Sequence, residues 1–246
     1  MRRKTYNLVR AATIAIACLA AWPARPMPPC PIPPELSLSG LTLPAAKAAA
    51  ATRRLTIVTL GGAYTAGTAA GDPGLSYPAR LEAELTDLLP GIEIQVVNEA
   101  APGNTAADVP PTVGALLQKT GARLVIWGPG ARDAKRTLDP GDFFGAVQAG
   151  IDAVRRSGAD LILLDVPLVP SMERIARFEA YRDMLHGAAT SSGVPFLARY
   201  DLMRYWSETG TLNLAASGPT ERQTVARALY ACVAGSLAGP IAAAVR

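Results

Sequence analysis

Val58-Thr59-Leu60-Gly61-Gly62-Ala63-Tyr64-Thr65-Ala66-Gly67 is the stretch whose reading decides the fold. The apolar run Leu55–Leu60 has the length and make-up of a buried strand. It meets a glycine pair, and a helical pattern follows. Strand–turn–helix junctions of this kind are where many α/β enzymes place a nucleophile or bind an anion. The turn position that would carry chemistry holds Ala63, and a methyl group cannot attack a carbonyl.

Apolar runs and helical patterns alternate outward from this junction. The pattern predicts strands at Leu55–Leu60, Ile92–Val97, Arg123–Trp127, Leu161–Val166 and Val194–Ala198. Helices are predicted near Tyr77–Leu89, Thr112–Thr120, Asp142–Ser157, Met172–Thr190, Leu202–Ser207 and Arg222–Ala238. Several strands are continuous Val/Ile/Leu runs, as expected when helices cover both sheet faces. Repeated β–α units with short links imply right-handed crossovers and a parallel sheet. The predicted fold is α/β: a three-layer α/β/α sandwich on a five-stranded parallel sheet, flavodoxin-like in order 2-1-3-4-5. Ligands of such sheets sit at the carboxyl ends of the strands. Gly61–Thr65, Glu99–Thr105, Gly128–Asp133 and Pro167–Ser171 all fall there.

The 246 residues, half of them apolar, suffice for one sizeable core. Residues 1–24 read as a signal peptide or signal anchor: Arg2, Arg3, Lys4 and Arg10 precede the apolar run Ala11–Trp22. That run is shorter than the ~20 residues that span a bilayer. Ala15-Ile16-Ala17-Cys18 weakly resembles a lipoprotein cleavage box. Periplasmic or secreted localisation follows, with any membrane contact made through this segment. Residues 25–53, rich in Pro and Ala, read as an extended linker. The domain then occupies residues 54–246.

Of 24 Lys and Arg, four lie in the leader, leaving twenty to face twenty Asp and Glu. The basic pI therefore reflects targeting and gives no argument for nucleic-acid binding. Cys30 and Cys232 can form one disulfide in an oxidising compartment, or Cys232 can lie free on a buried helix face. One His in the chain and no Cys-x-x-Cys argue against a zinc site, and no cofactor is expected. No phosphate-binding glycine motif follows the first strand.

Four loops, spanning most of residues 55–240, resemble the signature blocks of the SGNH (GDSL) hydrolase family in order, and more closely those of a bacterial secreted branch. Its first block reads Gly-Asp-Ser, then Thr-Ala-Gly; here Gly61 and Thr65-Ala66-Gly67 fit, while Gly62 and Ala63 replace Asp and Ser. The second, Asn-x-Gly-x-x-Gly-Asp/Asn-Thr, is matched at Asn98, Gly103, Asn104 and Thr105. The resemblance implies that the Gly103 amide would help bind an oxyanion, which a residue without Cβ can approach. The third block, Gly-x-Asn-Asp, keeps Gly130 and Asp133 but has Arg132 for Asn. Arg132 can clamp an anion, fill the empty pocket, pair with Asp133 or face solvent. The last block, Asp-x-x-His before the final helix, is placed at Glu221–Thr224. Thr224 cannot act as a general base. His186, the single His, is expected as a helix residue away from the site.

Three reactive side chains are thus replaced, and no catalytic residue is assigned. The expected protein is an inactive SGNH-like pseudoenzyme that binds an anionic or acylated glycan or small molecule. An active esterase using Tyr64, Thr65 or Ser171 is the alternative, although no base is visible near them. A third reading is an assembly partner acting through its Pro-rich tail.

Overall fold

The computed structural model describes residues 30–169, 171–175 and 177–246. The expected signal segment, residues 1–24 with Cys18, lies outside the described residues. Five parallel strands form one sheet in the order β2-β1-β3-β4-β5, the predicted order. They are β1 (Arg54–Gly61), β2 (Glu93–Asn98), β3 (Leu124–Gly128), β4 (Asp160–Leu164) and β5 (Phe196–Leu197).

Alternate side chains of each central strand enter different cores. Leu55, Ile57, Leu124, Ile126, Ile162 and Leu164 pack on one face, while Val58, Leu60, Val125, Trp127, Leu161 and Leu163 pack on the other. This is why the strands read as unbroken apolar runs. The first face is covered by α1 (Pro44–Ala51), α3 (Tyr77–Leu88), α8 (Arg199–Glu208) and α9 (Pro219–Val245). The second is covered by α4 (Val113–Thr120), α6 (Pro140–Arg156) and α7 (Phe178–Ser192). Two short helices, α2 (Ala63–Ala66) and α5 (Ala131–Lys135), follow β1 and β3 at the carboxyl edge. The three layers are those predicted. Helix α9 is long and apolar enough to cross a membrane. It serves as a core helix, packed on α3 and α1.

Three expectations are corrected. Residues 30–53 are no extended linker: Pro44 opens helix α1, and Leu38, Leu43, Ala46 and Ala50 are buried in the first core. Composition suggested a spacer, but a proline at a first helical position followed by alanines starts a helix well. The Ala46 amide donates to Asp160 Oδ2 at 2.9 Å, and Trp206 Nε1 donates to the Pro31 carbonyl at 2.8 Å. Cys30 and Cys232 are joined in a disulfide, with Cα atoms 5.3 Å apart across 202 residues of sequence. This strap thus belongs to the folded unit. The helix after β4 begins at Phe178, not near Met172, which lengthens the loop at the carboxyl edge. The last helix begins at Pro219, three residues before its predicted start, and that changes the reading of the site.

Candidate functional site at the carboxyl edge

The nucleophile turn is held by backbone contacts. Gly61 has φ +148°, and a Cβ there would lie 2.6 Å from Thr65 Oγ1 and 2.9 Å from the Gly128 carbonyl oxygen. No other residue fits. The Ala101 amide donates to the Gly61 carbonyl at 3.1 Å, tying the β2 loop to the β1 turn. Asn98 strengthens the tie. Its Oδ1 accepts from Thr59 Oγ1 at 3.0 Å, and its Nδ2 donates to the Thr65 carbonyl at 3.2 Å. Gly62 caps α2, and Ala63 is its half-buried first residue.

Asp133 does the same for the next pair of loops. It is 2 % exposed, and its two oxygens accept the Ala106 amide at 3.0 Å and the Gly130 amide at 3.2 Å. Burial pushes its carboxyl upward, and the two amides oppose this. Arg132 does not pair with it. Its side chain is exposed and forms no ion pair among the described residues. Gly103 is exposed with open space around it, and the half-buried Asn104 donates its amide to the Ala101 carbonyl at 3.0 Å.

The placement of the last block is corrected. Glu221 and Thr224 lie inside α9, where Thr224 Oγ1 donates to the Thr220 carbonyl and Glu221 accepts from Asn213 Nδ2 at 3.1 Å. The loop leading into α9 is residues 211–218, and it contains neither Asp nor His. Asn213 is its one side chain with the shape of Asp, and three residues on stands Ala216. Gly218 and Pro219 are the start signal that would have fixed this register from sequence. A methyl group, Ala63, thus stands at the place where the family pattern has its serine, and no imidazole stands in the loop before α9. His186 is exposed on α7, edge-on to Phe196 at 5.4 Å between ring centroids. It lines a separate recess of about 220 Å³ with Asp165, Arg182 and Asp201. Among the described residues no group of three His, Cys, Asp or Glu side chains can hold a metal ion.

A cavity of about 460 Å³ opens beside the nucleophile turn. Tyr64, Leu168, Val169, Ser171 and Arg174 of the loop after β4, Met203 of α8, residues 214–217 and the first turns of α9 line it. Behind it lies Arg199, the first residue of α8, 3 % exposed, whose Nε donates to the Asp165 carbonyl at 2.8 Å. Burial works against the Arg199 charge, and Tyr77 and Asp165 are the first groups to offset this. Burial also pushes the Tyr64 and Tyr77 phenols up to about 12 and Tyr230 upward, while Arg199 pulls all three down. Tyr77 Oη is buried beside Thr65 without a hydrogen-bond partner among the described residues. No local sequence signal marks this cluster, because its members come from positions 64, 77, 199 and 230. Thr65 itself is 1 % exposed, out of reach of a substrate, whereas Ser171 is exposed at the cavity rim.

The fold is that of several solved esterases. A catalytic mutant of Axe2, an acetylxylan esterase from Geobacillus stearothermophilus, is 16 % identical, with TM-score 0.60 over 76 % of this chain and 94 % of that one. TesA is 20 % identical, with TM-score 0.56 over 72 % and 97 %. A putative lipolytic protein of the G-D-S-L family from Desulfitobacterium hafniense DCB-2 is 20 % identical, with TM-score 0.53 over 73 % and 98 %. These likenesses establish the fold alone. No curated protein matches by sequence. The model of the non-GDSL lipase-like family matches residues 29–246, from the strap to the last residue of the chain. The chain therefore belongs to the non-GDSL lipase-like family, on an SGNH-hydrolase-like fold.

Proposed function

We propose that this protein is a non-catalytic SGNH-fold binding protein of the periplasm or the secreted space. One observation carries the reading: a methyl group, Ala63, stands where the family pattern has its serine, and the loop before α9 holds neither Asp nor His, while the side chains that tie the β1, β2 and β3 loops remain. Acyl transfer needs a nucleophile activated by a nearby base. The neighbouring side chains give none, since Thr65 is buried and His186 lies on α7 beside Phe196. The cavity beside Tyr64 supports binding as the activity left. The Cys30–Cys232 disulfide and the basic–apolar leader support an oxidising compartment.

The test is release of p-nitrophenol from esters of two to twelve acyl carbons by the oxidised protein. The expected rate equals that of buffer. Turnover abolished by Ser171→Ala would establish the second reading, an esterase using the hydroxyl at the cavity rim.

A further inference from the structure

We infer that the amino edge of the sheet, at the end opposite the cavity, binds a linear acidic polysaccharide along Arg54, Arg123 and Arg156. The inference goes beyond the reading above and holds whether or not the carboxyl edge catalyses. Arg54 opens β1, Arg123 directly precedes β3, and Arg156 ends α6. Sheets of this kind bind their ligands at the other edge, so this face is free of that site's demands.

Two grooves of about 470 and 430 Å³ open there. Arg54 and Arg123 line the first, Arg123 and Arg156 the second, and Gly121 belongs to both. The grooves therefore meet at the start of β3 and form one path past three guanidinium groups. Glycine keeps the middle bare: a Cβ on Gly121 would meet nothing within 4 Å, and one on Gly158 would lie 3.8 Å from Arg123 Nη1. All three arginines are exposed, and Arg123 and Arg156 form no ion pair among the described residues. The carboxylates at the strand starts are already engaged. Glu93 holds Arg54 at 2.9 Å, and Asp160 accepts the Ala46 amide at 2.9 Å. Twenty basic residues face twenty acidic ones over residues 25–246, so this is a local excess and no by-product of net charge. Helix ends account for only part of it. Arg156 suits the C-terminus of α6, and Arg155 donates to the Ser192 carbonyl at the end of α7, but Arg123 lies in no helix.

The lining selects the partner. A lone anion at one exposed arginine gains little, because water and salt screen the pair. A chain of many charges engages all three arginines, and each contact after the first is intramolecular. Among the described residues no acidic and no aromatic side chain lines either groove, so the bases of a single-stranded nucleic acid would find no stacking surface. A bilayer is broad and does not enter two concave grooves. The grooves instead offer Thr52, Gln118 and Ser157 to hydroxyl groups, and Ala48 and Pro111 to the C–H faces of sugar rings. Saccharide units that carry carboxylates supply both kinds of group along with the charge.

The test is calorimetry on the oxidised full chain with an oligogalacturonate of about twelve units, a neutral dextran of equal length and the galacturonate monomer. The oligogalacturonate is expected to bind saturably and to weaken at least ~5-fold when salt rises from ~0.05 to ~0.5 M, while the other two do not saturate. Arg123→Ala and Arg156→Ala should each weaken it about 5- to 10-fold. Glu93→Gln should tighten it about 2-fold by releasing Arg54. Lys135→Ala combined with Arg136→Ala removes charge from α5 at the carboxyl edge and should leave binding unchanged. All these side chains are exposed, so unfolding midpoints should match wild type, which separates a lost contact from a lost fold. Equal binding of dextran would overturn the role of charge, and an equal loss in the α5 variant would overturn the site. Tighter binding of oligothymidylate or of phosphatidylglycerol vesicles would overturn the class of partner. Absence of oligogalacturonate binding would overturn the inference altogether.

Discussion

Replacing both Cys30 and Cys232 by Ala should be the most destabilising change that leaves every core side chain's shape nearly intact. The bond spans 202 residues of sequence, almost the whole domain. A cross-link stabilises chiefly by restricting the unfolded chain. A 100-residue loop is worth about 4.7 kcal/mol, and each doubling adds about 0.6 kcal/mol. The expected loss is therefore about 5 kcal/mol, an upper figure set against the 5–15 kcal/mol total of a typical domain. Cys232 is 3 % exposed on α9, so Ala is chosen over Ser to avoid burying a hydroxyl. Urea unfolding measures the effect. With a slope near 3 kcal/mol per molar, the midpoint should fall by roughly 1.5–2 M. Wild type under reductant should match the double variant. Trp206, bonded to the Pro31 carbonyl, reports the strap by fluorescence, while far-UV circular dichroism reports the sheet and helices. The strap should loosen first once its tie to α9 is cut, because its other anchors are few: four buried apolar side chains and two long-range hydrogen bonds. A midpoint shift below about 0.3 M would refute this reasoning, since loop entropy of this size cannot then act on the unfolded state.

Three further outcomes follow from the site. Ala63→Ser should give no ester hydrolysis above buffer, because the loop before α9 carries no His and His186 lies beside Phe196; turnover would show that another group activates the serine. Asp133→Ala should cost about 3 kcal/mol, read by thermal or urea unfolding, because two buried amides lose their acceptor. Asp133→Asn should cost less, since one acceptor oxygen remains, and equal losses would contradict the bridging role. Burial, only partly offset by Arg182, pushes Asp165 up to about 6. Its native pKa lies above the unfolded value of about 3.9, so the native state binds the extra proton. The stability this contributes is full below about pH 4 and is lost as pH rises to about 6, by up to ~3 kcal/mol. Asp165→Asn should flatten that part of the curve, and a slope parallel to wild type would remove Asp165 from the account.

The sheet was legible because each central strand is buried on both faces, which writes an unbroken apolar run into the sequence. The strap was misread because its composition favours extension, whereas its structure is set by four buried side chains and a disulfide to the far end of the chain. The start of α9 was misplaced by three residues, although Gly218-Pro219 marks it, so Glu221 and Thr224, expected before the helix, lie inside it. The cavity was not legible at all. Tyr64, Arg199 and Tyr230 meet only after residues far apart in sequence are brought to one edge, and no periodicity or spacing announces such a meeting.

The matching and missing parts of the family pattern follow one physical rule. Gly61, Asn98 and Asp133 match it, and each fixes backbone: a turn no side chain would fit, two hydrogen bonds across the β1–β2 edge, two amides between neighbouring loops. Ala63 and Arg132 depart from it, and neither side chain makes a hydrogen bond or ion pair among the described residues. A sequence that stops catalysing but must still fold can lose the second kind freely and the first only at a cost of several kcal/mol. Motif resemblance in such a chain therefore reports the loops' architecture.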